Sequence, residues 1–114
     1  VWEYKTVAEA MDYTRKNYEV VQAAHPGKQI VITEAGWATA SNGRGIPPEN
    51  VGEHYQAAYL RELLEWAERE SILVYIFEAF DENWKGSDHP LEPEKHWGIY
   101  RADRSAKPAL SLQR

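Results

Sequence analysis

Two short apolar runs set the pattern of the chain. Ile30-Val31-Ile32 leads into Thr33-Glu34-Ala35-Gly36-Trp37, and Leu73-Val74-Tyr75-Ile76-Phe77 leads into Glu78. Both are short, β-branched and aromatic, which predicts buried strands over 30–34 and 73–78. Each ends in a carboxylate. Between and before them the spacing changes to a helical one. Val7, Ala10, Met11, Tyr18 and Val21 recur on one stripe, with Thr14 as its polar member. The spacing predicts an amphipathic helix over 7–24, opened by a Thr6–Glu9 capping box and stopped by Pro26-Gly27. Val51, Tyr55, Tyr59, Leu63, Trp66 and Ala67 form a second stripe and predict a helix from about Glu49 to Glu70. Its other face carries Glu62, Glu65, Glu68 and Glu70, which read as solvated surface.

The remaining segments read as connections. Residues 38–50 and 79–97 are long, polar loops that follow strand ends. The helix-to-strand connections, Pro26 to Gln29 and near Ser71, are short. Val1 to Tyr4 reads as the tail of a strand already under way, Gly98-Ile99-Tyr100 as a short extended piece and Asp103-Arg104-Ser105 as a turn. Lys107 to Leu110 opens a last helix. Alternating strands and helices predict βαβ units, right-handed crossovers and a parallel sheet. Long loops after strands and short ones before them fit a (β/α) barrel, whose chemistry sits at the strand C-termini. The 114 residues form a single domain, 1–114, and are too few for a self-contained barrel of about 250 residues. The reading is therefore α/β, a partial barrel running from about the end of strand six to strand eight.

Composition narrows the chemistry. The net charge is −5, from 13 basic and 18 acidic residues, and no basic patch is visible. Nucleic acid and anionic membrane surfaces are thus not expected partners. The longest apolar run, Ile72 to Phe77, is far shorter than the roughly 20 residues a bilayer span needs. There are no cysteines, so thiol chemistry is excluded. Five tryptophans and seven tyrosines suit either core packing or sugar-stacking platforms.

Strand-end carboxylates are the main chemical signal: Glu34 after the first run, then Glu78, Asp81 and Glu82 after the second. Glycosidic bond cleavage needs one carboxylate that attacks or stabilises an oxocarbenium-like centre and one acid for the leaving oxygen. Lys85 is a suitable cation to keep such a carboxylate ionised. An ordinary salt bridge at a barrel mouth would explain Glu34 equally well. A metal site built from Asp81, Asp88, His89, Glu94 and His96 is the competing reading of the second loop, but no spacing there matches a tight ligand pattern, so neither metal nor cofactor is expected. His25 and His54, near helix ends, read as structural. Gly43-Arg44-Gly45 lacks the context of a phosphate loop, and no nucleophile elbow supports a serine triad.

Ile32-Thr33-Glu34-Ala35-Gly36-Trp37 resembles the nucleophile motif of glycoside hydrolase family 17, the β-1,3-glucanases and β-glucan transglycosylases. Phe77 to Gly86, followed by Glu94-Lys95-His96-Trp97-Gly98-Ile99-Tyr100, is similar to that family's last strand and loop. The 38–50 loop resembles the bacterial branch. The resemblance implies a (β/α)8 barrel acting with retention on β-1,3-glucans, in a family that is often extracellular or part of the cell envelope. It makes Glu34 the nucleophile and puts Glu82, Lys85 and Glu94 among the catalytic polar residues. Trp37, Trp84 and Trp97 would meet substrate, with Glu78 and Asp81 beside them. The family's acid is a glutamate after an asparagine on the fourth strand, and nothing here matches it. Two functions follow: a barrel segment with a nucleophile but no acid, or a non-catalytic module that binds β-glucan weakly or not at all. Open strand edges predict self-association into a dimer or larger homo-oligomer.

Overall fold

The computed structural model describes residues 4–112, so all but Tyr4 of the expected leading strand tail lies outside the described residues. The chain folds as helix α1 (Val7–Ala24), strand β1 (Val31–Ala35), helix α2 (Glu53–Glu70) and strand β2 (Leu73–Ile76), with single 3-10 turns at Pro48–Asn50, Pro93–Lys95 and Pro108–Leu112. β1 and β2 pair in parallel, joined through α2 as the sequence pattern requires. No helix among the described residues is long and apolar enough to cross a membrane.

α1 begins where its capping signal stands. The Glu9 carboxylate accepts the Thr6 amide at 2.9 Å and the Thr6 hydroxyl at 2.8 Å. These bonds to Thr6 hold the Glu9 carboxyl below its ordinary range. Both halves of the capping box are present, and the Glu9 amide also donates to the Thr6 carbonyl at 3.1 Å. Thr14, the polar member of the α1 stripe, is satisfied twice: it donates to the Ala10 carbonyl at 2.8 Å and shares a 3.0 Å bond with the Tyr59 hydroxyl of α2. A hydroxyl that returns to its own helix costs little when buried.

The core lies between the two helices and the outer face of the sheet. Ala10 and Met11 of α1 meet Tyr59, Leu60, Leu63 and Trp66 of α2, with Trp37, Ile46 and Ala109 completing the cluster. Tyr18 packs edge-on against Trp66, ring centres 5.4 Å apart. Full burial of a side chain such as Leu63 contributes about 2 kcal/mol.

Four expectations change. α2 starts at Glu53 rather than Glu49, since the chain first makes the turn at Pro48–Asn50 and is capped at Gly52. β2 stops at Ile76, and the closing segment is a 3-10 turn. The 98–100 stretch, expected only as a short extended piece, makes single bridges from Tyr100 to Phe80 and Ala106. The strands are covered on one face alone, where Ala35 is buried and Ile32, Val74 and Ile76 are half-buried. Val31, Leu73 and Tyr75 stand exposed on the inner face, and Val20 and Val21 are exposed on α1.

Candidate active site

Glu34 owes its position to a slip in strand register. Ile32 faces Val74 and Ala35 faces Ile76, so three steps along β1 match two along β2. The extra residue is a bulge, which re-aims side chains at the end of a strand. With strict alternation Glu34 would lie on the same side as Ile32, against the core. With the slip, Thr33 and Glu34 are both exposed and Ala35 turns inward to be buried. Glu34 thus opens onto a cleft of about 640 Å³, bounded by Tyr13, Asn17 and Tyr18 of α1 and by Phe77, Glu94 and Trp97.

The two strand ends touch directly beyond Ala35. A Cβ on Gly36 would sit 1.7 Å from the Phe77 carbonyl oxygen, so only glycine permits this approach. The Phe77 amide then donates to the Ala35 carbonyl at 2.8 Å. The Phe77–Glu78 peptide that follows is cis. The glycine serves the meeting of two backbones rather than access for a ligand.

Glu78, Glu82 and Lys85 form one ion cluster. The Lys85 ammonium lies 3.1 Å from Glu78 Oε2 and 3.2 Å from Glu82 Oε2, and 4.4 Å over the Phe77 ring. Burial raises the Glu78 carboxyl above its ordinary range, and the hydrogen bond from Lys85 only partly offsets this. Burial also acts to pull Lys85 down, but the hydrogen bonds and charges of Glu78 and Glu82 outweigh it and leave the ammonium above its ordinary value. The two partners do not mirror each other because Glu78 is more buried than Glu82 and shares one cation with it.

The aromatic candidates separate sharply. Trp37 has no accessible surface: it packs 5.5 Å from the Tyr59 ring and its indole N–H donates to the Asn50 carbonyl at 2.8 Å. It is therefore a core residue, a correction to its expected part as a sugar platform, since a covered ring cannot stack on a ligand. Trp97 is 4% exposed and borders the cleft while packing against Phe77. Trp84 is 76% exposed on the second loop. Asp81 turns away from the cleft group. Its Oδ1 takes the Lys107 ammonium at 2.8 Å and the Gly98 amide at 3.0 Å, so it braces the loop instead of facing substrate. His89 and His96 make local bonds within 87–96, and among the described residues no group of three or more His, Asp or Glu side chains could hold a metal ion.

Three buried polar residues that hold the site escaped the sequence reading. The Gln56 amide of α2 donates to the Trp37 and Gly98 carbonyls at 3.0 Å each and reaches the Trp97 carbonyl at 3.3 Å, tying the helix to both strand ends. Lys107, 2% exposed, joins Asp81 to the Thr39 hydroxyl, and burial lowers its pKa. Lys95 bonds two carbonyls of the second loop. A glutamine inside an amphipathic stripe and lysines in loops carry no signal of burial in a single sequence.

The family model of the BtgE/BtgC glycoside hydrolase domain matches residues 1–98. The chain belongs to this family. Glucan 1,3-beta-glucosidase of Candida albicans is 35% identical over 86 residues, covering 72% of this chain and 26% of that protein. The glycoside hydrolase family 17 beta-1,3-glucanosyltransferase of Rhizomucor miehei matches 97% of this chain and 39% of its own, with a TM-score of 0.81 and 29% identity. An active-site mutant of that Rhizomucor enzyme, in complex with laminaritriose, matches 95% of this chain and 38% of its own, with a TM-score of 0.80 and 30% identity. The BtgE/BtgC-type chain thus spans about a quarter of the curated relative and under two-fifths of these solved structures. Its fold is a small α/β piece matching part of a family 17 TIM barrel.

Proposed function

We propose that the chain carries the nucleophile half of a retaining β-1,3-glucan hydrolase or transglycosylase site. Glu34 attacks the anomeric carbon; Glu82, Lys85 and Glu94 are the supporting polar groups, with Glu78 adjoining them. The observation that carries this reading is the bulge in β1, which turns Glu34 out of the core and into one cleft with Glu94. The Lys85 cation with two carboxylates suits a pocket where negative charge must be held in place. The name of the Candida relative and the laminaritriose bound to the Rhizomucor enzyme support β-1,3-linked glucan as the substrate class.

The acid for the leaving oxygen comes from barrel segments beyond those matched here, so the 114 residues alone are weakly active or inactive. Catalytic groups that act as a unit do not leave half the rate when one is missing. Laminarin turnover tests this. The chain supplemented with the remaining barrel segments should release reducing sugar, and Glu34→Gln should lose it; an unchanged rate in Glu34→Gln overturns the nucleophile reading.

A second reading is favoured by Trp84, which is 76% exposed and free to stack on a sugar ring. On this reading the chain is a non-catalytic module that binds β-glucan weakly. Retardation in laminarin-containing gels, abolished by Trp84→Ala, is its expected result. Self-association belongs to both readings. Tyr75 is 58% exposed and Leu73 47%, on a two-stranded sheet with open edges. Sedimentation at high concentration should show dimers or larger species, and a clean monomer refutes this.

A further inference from the structure

We propose that Lys95 is a positioning residue: its buried ammonium holds the 82–85 turn in shape and thereby places the Lys85 cation between Glu78 and Glu82. Lys95 is 8% exposed. Its Nζ donates to the Asn83 carbonyl and to the Lys85 carbonyl, each at 2.8 Å. Its main chain grips the same turn from the other side, because the Glu82 amide donates to the Lys95 carbonyl at 3.2 Å. The turn is closed internally by the Lys85 amide on the Glu82 carbonyl at 3.0 Å. Three residues of the turn are thus bonded to one lysine, and two of them, Glu82 and Lys85, carry the charges of the cluster.

The energetics argue for a role beyond packing. A buried ammonium loses several kcal/mol of hydration, and an apolar residue of similar volume would avoid that cost. Two carbonyl acceptors recover part of it and fix two points of a turn that has no strand or helix to hold it. Lys85 reaches Glu78 through a flexible four-carbon stem, so the cation stays between both carboxylates only if its own backbone is fixed. Glu92 accepts from Ser87 at 2.8 Å and lies 3.6 Å from Arg44, and Glu94 borders the cleft.

Carboxyl and ammonium NMR titration of the 114-residue chain tests the inference. In Lys95→Met, the Glu78 titration should move further upward and that of Lys85 downward, while the Trp37 indole signal stays in place. A folded Lys95→Met chain in which Glu78 and Lys85 titrate as before overturns the proposal. Should Lys95→Met fail to fold, the unsubstituted chain decides. The Lys95 ammonium protons should exchange at least about tenfold more slowly than those of exposed lysines such as Lys16, the protection one net hydrogen bond gives; equal rates overturn the proposal. The importance of the cluster for glucan chemistry rests on the proposed function, but both readouts are taken without sugar. A shifted Glu78 titration, together with an unchanged laminarin rate in Glu34→Gln when the remaining barrel segments are supplied, would refute that function and leave the role of Lys95 standing.

Discussion

Replacing Gln56 with leucine is the most direct test of how the site is held. The Gln56 side chain is fully buried, and its amide has two N–H groups for three nearby carbonyls. Trp97 keeps a partner without it, since the Glu78 amide also donates to that carbonyl at 3.2 Å. The Trp37 and Gly98 carbonyls lose their bond from Gln56. Each buried carbonyl left without a donor costs about 1–3 kcal/mol. Against this, the Gln56 Oε1 has no hydrogen-bond partner among the described residues, and leucine removes that burden. The net loss should be about 2–3 kcal/mol, equivalent to a fall of about 10 °C in Tm. Urea unfolding followed by tryptophan fluorescence should show the midpoint drop with the slope unchanged. Gln56→Glu should be worse than leucine, because a carboxylate would then face three carbonyl oxygens. An unshifted midpoint for leucine, or glutamate tolerated as well as leucine, refutes the idea that Gln56 ties α2 to the strand ends as a donor.

Two further substitutions probe the rim. Gly36→Ala drives a methyl group into the Phe77 carbonyl, which is backbone and cannot swing aside, so stability should fall by about 3 kcal/mol or more; a urea midpoint close to that of the parent chain would show the strand ends are less tightly joined. For Glu78 the sign of the pH dependence follows from burial. Its carboxyl lies above the ordinary range in the fold, so its contribution is fully present below the unfolded value and is lost as pH rises through the folded one. Glu9 and Asp103, both lowered, act in the opposite sense and are lost as pH falls. Comparing the parent chain with Glu78→Gln isolates the first effect: the parent should lose stability relative to the variant as pH rises through the raised Glu78 value, and the reverse slope contradicts the assignment.

What the sequence disclosed and what it hid divide along a physical line. α1 was legible to the residue because a cap, a stripe and a Pro-Gly stop all agree on Val7–Ala24. The parallel pairing of β1 and β2 followed from a helix between two apolar runs. The start of α2 was misplaced because Trp37 holds the Asn50 carbonyl, a contact across 13 residues that no local pattern encodes. The carboxylates at the strand ends were legible as residue types, but the bulge that exposes Glu34 was not, since register depends on the partner strand. Trp37 and Trp84 look alike in sequence; one is enclosed by Tyr59 and Ile46 and the other stands in solvent, and only tertiary packing distinguishes them. The Asp81–Lys107 pair joins residues 26 apart and was likewise invisible.

The distribution of anchors bears on where the chain is firm. A two-stranded sheet is marginal by itself and needs a packed layer to persist. Here one face of the strands packs against the helices through Ile32, Val74 and Ile76, while the inner face exposes Val31, Leu73 and Tyr75. The rim does not draw on the inner face. Gln56, Lys95 and Lys107 bond to loop backbone and to Asp81, and the Phe77, Asp81 and Ile99 amides are held by carbonyls of Ala35, Tyr100 and Glu78 at 2.8–3.0 Å. The last turns of α1 have weaker support, for Val20 and Val21 are exposed and the helix contributes only Ala10 and Met11 as buried residues, both near its start. Opening should therefore begin at the C-terminal end of α1 and spread to the rim last. Native-state hydrogen exchange reads this directly: the Phe77, Asp81 and Ile99 amides should outlast those of Val20 to Ala24. If the rim amides exchanged first, the strand ends would depend on contacts outside this chain for their geometry, and Glu34 could not be presented by these residues alone.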